Sequence, residues 1–152
     1  MRMETSVLVI GIGNAFRSDD RAGLEVARRL QSSTNDRLKV LEVAGNPLAL
    51  LDIWKGYDEV LLVDAVSSKS KPGTFQIINA VQRTIPAGMF NTSTHNMSVA
   101  EAIEMARNLD QLPEQMLVYG IEGKNFQFGE ALSPQMDRVI EEVVRHILKH
   151  IH

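Results

Sequence analysis

Three acids and one histidine, Asp19, Asp20, Asp64 and His95, are the residues of this chain best placed to do chemistry. The run Val7-Leu-Val-Ile10 breaks at Gly11 and Gly13, turns polar at Asn14 and presents Asp19-Asp20 as a helical pattern begins. A second run, Val60-Leu-Leu-Val63, ends at Asp64. Both positions put carboxylates at the carboxyl ends of buried strands, the edge where open α/β sheets keep their ligand crevices. His95 lies in a long loop just ahead of a helix start, so that loop is able to fold over the same edge. Two carboxylates and an imidazole form an oxygen-rich donor set suited to nickel, zinc or manganese. The spacing of Asp20, Asp64 and His95 is not that of a local metal signature.

Each residue also has a plainer explanation. Asp64 suits a cap for the Ser67-Ser68 turn; against that, a carboxylate beside four apolar residues is costly to desolvate without a partner. One acid at a helix start caps free amides and meets the positive end of the dipole, but a second is surplus. At least one of Asp19 and Asp20 is therefore available to a site. A lone loop histidine is more often solvated than ligating; what raises His95 is its place ahead of a helix start. His146 and His150 stand one helical turn apart and would chelate a metal, but they share the last turns of a terminal helix with His152, where cations complement the dipole. Lys69, Lys71 and Arg17 read as solvated turn residues, with Arg17 bordering the site. Gly11 and Gly13 also suggest a dinucleotide-binding turn, and a nucleotide-binding domain is one rival reading. The third glycine of that fingerprint falls on Phe16, and the acids behind it would repel a pyrophosphate.

The elements that must position these residues alternate between strand and helix. Residues 6–12 read as a buried strand, followed by a helix from Asp19 carrying Ala22, Val26, Ala27 and Leu30, with Ser18 or Asp19 as N-cap. Leu38 to Val43 is a second strand, and Asn46-Pro47 opens a short helix with Leu50, Leu51 and Trp54. Val60 to Val63 lacks alternation, as suits the centre of a parallel sheet covered on both faces. Phe75 to Ile78 reads as an edge strand, and residues 81–96 as a loop of a length that is usually functional or mobile. Ser98 and Glu101 form a capping box, Met116 to Ile121 is a further buried strand, and Ser133-Pro134 opens a final helix. The expected fold is α/β: a three-layer αβα sandwich with a mostly parallel sheet and one antiparallel edge strand.

Composition narrows the classes of function. The 152 residues fit a single domain, 1–152, able to bury one core without staples. A net charge of −3 and no basic run argue against a nucleic-acid partner. The chain has no cysteine, which removes disulfides, thiolate metal sites and a cysteine nucleophile together. No segment approaches the roughly 20 apolar residues of a membrane span, and Val7 to Ile12 is too short for a signal sequence. A cytoplasmic location is expected.

Taken in order, these pieces resemble the hydrogenase maturation endopeptidases along nearly the whole chain. Gly11-Ile-Gly-Asn14 with Asp19-Asp20 and Gly23 is similar to the first motif of that family, and Val63-Asp-Ala-Val66 with Pro72-Gly-Thr74 to its second. Ser93-Thr-His95 and the helix behind it resemble the third; Tyr119-Gly-Ile-Glu122 and Leu132-Ser-Pro134 resemble the closing motifs. The resemblance implies an endopeptidase that removes a C-terminal extension from the nickel-loaded large-subunit precursor of a nickel–iron hydrogenase. Asp20, Asp64 and His95 would be its catalytic and metal-sensing residues, with nickel arriving in the substrate. Asp20 stands where many members carry the longer Glu. Glu42-Val-Ala-Gly45-Asn46 stands where many carry Asp-Gly-Gly-Thr, so Glu42 and Gly45 are the expected substrate-binding residues. Two further rivals are a non-catalytic nickel-sensing or chaperone-like partner of the precursor, and a broad metallopeptidase that holds its own metal.

Overall fold

Six consecutive buried residues make strand β1, Val7–Ile12. Because side chains alternate across a strand, Leu8, Ile10 and Ile12 enter one core and Val7 and Val9 the other. The computed structural model describes residues 6–33, 36–86, 88–89, 97–129 and 131–151. After β1 come a 3₁₀ turn, Ser18–Arg21, and helix α1, Ala22–Gln31. Then follow β2 (Leu38–Val43), a 3₁₀ turn Pro47–Ala49 running into α2 (Leu50–Ile53), and β3 (Glu59–Val66). The remaining elements are β4 (Phe75–Asn79), α3 (Val99–Asn108), β5 (Gln115–Glu122) and α4 (Met136–Ile151).

The sheet runs β2-β1-β3-β5-β4. Its first four strands are mutually parallel, and β4 lies antiparallel to β5 at the edge. Helices α1 and α4 close one face over Val9, Leu61, Val63 and Tyr119. Helices α2 and α3 close the other over Leu8, Ile10, Leu62 and Val118. This is the expected three-layer sandwich, and the capping box of α3 forms as predicted, with Glu101 N–H donating to Ser98 Oγ at 3.1 Å and Ser98 N–H to Glu101 Oε1 at 3.1 Å. Among the described residues no helix is long and apolar enough to cross a membrane.

Three boundaries differ from the sequence expectation. β3 does not end at Val63: Asp64, Ala65 and Val66 stay paired with Gly120, Ile121 and Glu122 of β5. Asp64 therefore sits inside the strand. The helix expected from Asp19 begins as the 3₁₀ turn, and neither Ser18 nor Asp19 caps α1. Ser18 instead donates its hydroxyl to Ala131 C=O at 2.8 Å. The last helix starts at Met136 rather than at Ser133-Pro134, and both the N–H and the hydroxyl of Ser133 donate to Asp19.

The glycines of the opening motif serve close packing. A Cβ on Gly23 would lie 2.3 Å from Val63 C=O and 2.5 Å from Ile12 C=O. One on Gly11 would lie 2.2 Å from Gly23 C=O, and one on Gly13 2.1 Å from Asp20 C=O. All four obstacles are main chain, so no side chain can swing away. The 3₁₀ turn and α1 thus press against the ends of β1 and β3. Gly23→Ala is expected to cost about 2–3 kcal/mol, as overpacked cores do, measurable as a lower urea midpoint at unchanged slope.

Candidate active site

The parallel strands bring their carboxyl ends to one rim, and the two candidate carboxylates meet there. Asp64 follows the parity of Val60 and Leu62. Its side chain therefore belongs to the α2–α3 face, at the level where β1 is ending. It is only 7% exposed. Its hydrogen-bond partner among the described residues is the Ala65 N–H, which donates to Oδ1 at 2.8 Å. Asp20 comes to the same place from the 3₁₀ turn. Its N–H donates to Arg17 C=O at 2.9 Å, and Asn14 N–H donates to its C=O at 3.3 Å, so the turn is braced from both sides.

The electrostatics show that the two acids sense each other. Burial pushes the Asp20 carboxyl up to about 6, against the opposing pull of the Arg17 guanidinium and a hydrogen bond from the Asn14 backbone. Burial also holds Asp64 well above the usual carboxylate range; the charge of Asp20 raises it further, and only the Ala65 N–H works the other way. Both carboxyls are thus held above the ordinary range, and like-charged acids in one pocket titrate as a coupled pair.

The neighbouring acid has a different task. Asp19 is fully buried and accepts four hydrogen bonds from the segment between β5 and α4. Of the adjacent acids of the first motif, Asp19 is thus taken up by architecture, and Asp20 is the one left as a site candidate. Glu122 is a second buried structural carboxylate. It accepts from Ser68 N–H at 2.9 Å and from Ser68 Oγ at 2.5 Å, fixing the turn after β3 beside Asp64. Its position at the end of an apolar strand gives the same signal that singled out Asp64.

The other expected residues are placed less centrally. His95 lies outside the described residues, and among those described no group of three His, Asp or Glu side chains stands ready to hold a metal. Glu42 shares the parity of Leu38 and Val40, which pack toward α1, and its carboxylate pairs with Arg28 at 3.1 Å. It lies on the face opposite Asp64. Gly45 is exposed in the connection after β2, with φ +99°; the structure does not join either residue to the Asp20–Asp64 pair. His146 and His150 do not converge: Nδ1 of His146 lies 3.1 Å from the Tyr119 hydroxyl, and Nε2 of His150 is 2.7 Å from Glu59. His152 lies outside the described residues. Arg17, expected to be solvated, is half-buried and stacks on Phe128 at 4.6 Å from the ring centre.

A family model described as hydrogenase maturation protease matches residues 24–150. The chain belongs to the hydrogenase maturation protease family. It is accordingly a hydrolase. Among its relatives, the hydrogenase 2 maturation protease of Escherichia coli K12 is 25% identical over 146 residues, which cover 93% of this chain and 88% of that protein. The coenzyme F420 hydrogenase subunit delta of Methanothermobacter thermautotrophicus is 26% identical over 162 residues, covering 99% and 98%. The fold is that of the hydrogenase maturating endopeptidase HybD from E. coli, with a TM-score of 0.81 at 22% identity over 97% of this chain and 92% of that one. The hydrogenase maturation protease HycI from Thermococcus kodakarensis superposes with a TM-score of 0.76 at 23% identity, covering 95% and 91%. The rim carrying Asp20 and Asp64 is the candidate site within that family fold.

Proposed function

We propose that this protease cuts a C-terminal extension from the nickel-loaded large-subunit precursor of a nickel–iron hydrogenase, with Asp20, Asp64 and His95 meeting the nickel as it arrives in the substrate. The observation that carries the reading is the state of Asp64. A carboxyl buried in the sheet, facing a second carboxyl and lacking a cationic partner among the described residues, is costly to ionise. A divalent cation is the chemical group that removes this cost, and acidic oxygens are donors it accepts. Asp64 and Asp20 supply those oxygens, and an imidazole from His95 would complete the set.

Nickel carried by the precursor supplies a Lewis acid and a template for the nearby peptide bond. The chain's own residues orient and move protons. Hydrolysis delivers hydroxyl to the carbonyl carbon and hydrogen to the departing nitrogen. The Asp20 carboxylate takes a proton from the attacking water and returns it to the leaving amine. Asp64 gives up its own proton on engaging the cation, so engagement weakens as pH falls. Two carboxylates and one imidazole are too few contacts to select a single bond, so the remaining specificity lies in the folded precursor. The family's function in hydrogenase maturation accords with action on a precursor inside the cell.

The test is to mix the protein with nickel-loaded and nickel-free precursor and follow the mass of the large subunit. Shortening of the loaded form alone is expected. Equal cleavage of both forms removes the nickel requirement. Stable binding with no change of mass would make the chain a non-catalytic partner.

A further inference from the structure

Among the described residues, the two most exposed large apolar side chains are Phe16, at 76%, and Phe128, at 69%. Single exposed apolar residues are ordinary on protein surfaces. These two are not independent. Phe16 sits in the loop leaving β1, and Phe128 in the loop leaving β5, whose strands end at the same rim. Gly129 N–H donates to Phe16 C=O at 3.1 Å, tying the loops together beside both rings. The Arg17 guanidinium lies over the Phe128 ring and also acts on the Asp20 carboxyl. One arginine therefore stacks on the aromatic surface and lies near enough to Asp20 for its charge to act on that carboxyl.

We infer that Phe16 and Phe128, braced by Arg17, are the docking platform for the substrate protein, engaging an apolar surface of the folded precursor beside its scissile segment. The inference rests on the proposed precursor reading and deepens it. Continuity with the carboxylate pair identifies the occupant: a protein whose peptide bond reaches Asp20 must lie against the residues four and three positions before it and against the ring stacked on Arg17. Aromatic side chains suit the task, since they bring large apolar area with few rotors to freeze and are enriched among residues that dominate binding. Leu109 gives a contrast. It is 54% exposed but follows α3, next to the start of β5 at the far end of the sheet.

The experiment compares wild type, the double variant Phe16→Ser/Phe128→Ser and the control Leu109→Ser. Cleavage of the nickel-loaded precursor is followed over a range of precursor concentrations, with binding measured in parallel by calorimetry. The double variant is expected to lose at least about tenfold in kcat/KM, carried by KM, with weaker binding to match and an unchanged melting temperature. The control should behave as wild type. A wild-type KM in the double variant overturns the platform while leaving the precursor reading intact. Failure of the wild type itself to bind or cut the precursor removes both. If the wild type sediments as a dimer that the double substitution breaks, while KM is unchanged, the rings serve self-association and the inference is wrong.

Discussion

Asp64→Asn is expected to lower precursor cleavage by about 10³-fold or more, the scale on which a positioned carboxyl acts, while leaving the protein at least as stable as wild type at pH 7. The amide has the same shape, and its oxygen still accepts the Ala65 N–H that now reaches Asp64 Oδ1 at 2.8 Å. What disappears is a group whose ionisation is resisted by burial and by the neighbouring Asp20 charge. Loss of activity with retained stability is the signature of a residue kept for chemistry at the expense of the fold. Wild-type turnover in this variant would remove Asp64 from the reaction.

The pH dependence of stability gives the same prediction an independent readout. A carboxyl whose folded pKa is raised binds protons more tightly in the native state than in the unfolded chain, so its stabilising contribution is complete below the unfolded value and fades as pH rises through the folded one. Asp20 and Asp64 both have this sign, with Asp20 at about 6. Wild-type stability should therefore fall between about pH 4 and pH 7, with Asp64 extending the decline beyond the range of Asp20. Asp64→Asn should fall less steeply, matching wild type near pH 4 and exceeding it near pH 8. Urea midpoints collected across that range decide the matter. A variant less stable than wild type at pH 8 would mean that the buried charge has a compensating partner.

Much of this architecture could be read from the chain because its strongest signals are local. A run such as Val60 to Val63, apolar on both faces, announces a central parallel strand, and a carboxylate at its end marks the candidate rim. The strand's true end was less visible. Asp64 interrupts the apolar run, but pairing with β5 carries β3 on to Val66. Glu42 looked available to a substrate because its parity becomes meaningful only once α1 is known to cover that face and Arg28 to reach it. The two histidines of α4 have helical spacing that suits chelation, yet Tyr119 and Glu59 engage them separately. Distant partners are what local patterns cannot show, and Asp19 is the fullest case.

Asp19→Ala is expected to cost about 3 kcal/mol or more and to lower the melting temperature by roughly 10 °C. Lys124 N–H and Asn125 N–H donate to its Oδ2 at 2.7 and 2.9 Å, Ser133 N–H to Oδ1 at 2.7 Å, and Ser133 Oγ to Oδ2 at 2.8 Å. These donors lie more than 100 residues away in sequence, so one carboxylate pins the β5–α4 connection to the end of β1. Alanine would strand three main-chain amides at a site shielded from water, and each unpaired amide carries a penalty. Asp19→Asn should recover little, since its NH₂ group would face N–H donors in place of one acceptor oxygen. Asp20→Asn, one residue along, should do the reverse: the fold survives and cleavage is lost. Thermal melts and cleavage assays on the adjacent pair therefore separate scaffold from chemistry, and a wild-type melting temperature in Asp19→Ala would overturn the division. The loop that Asp19 holds also carries Phe128, so even below the melting range Asp19→Ala should raise KM for the precursor, joining the anchor of the fold to the surface on which the substrate is received.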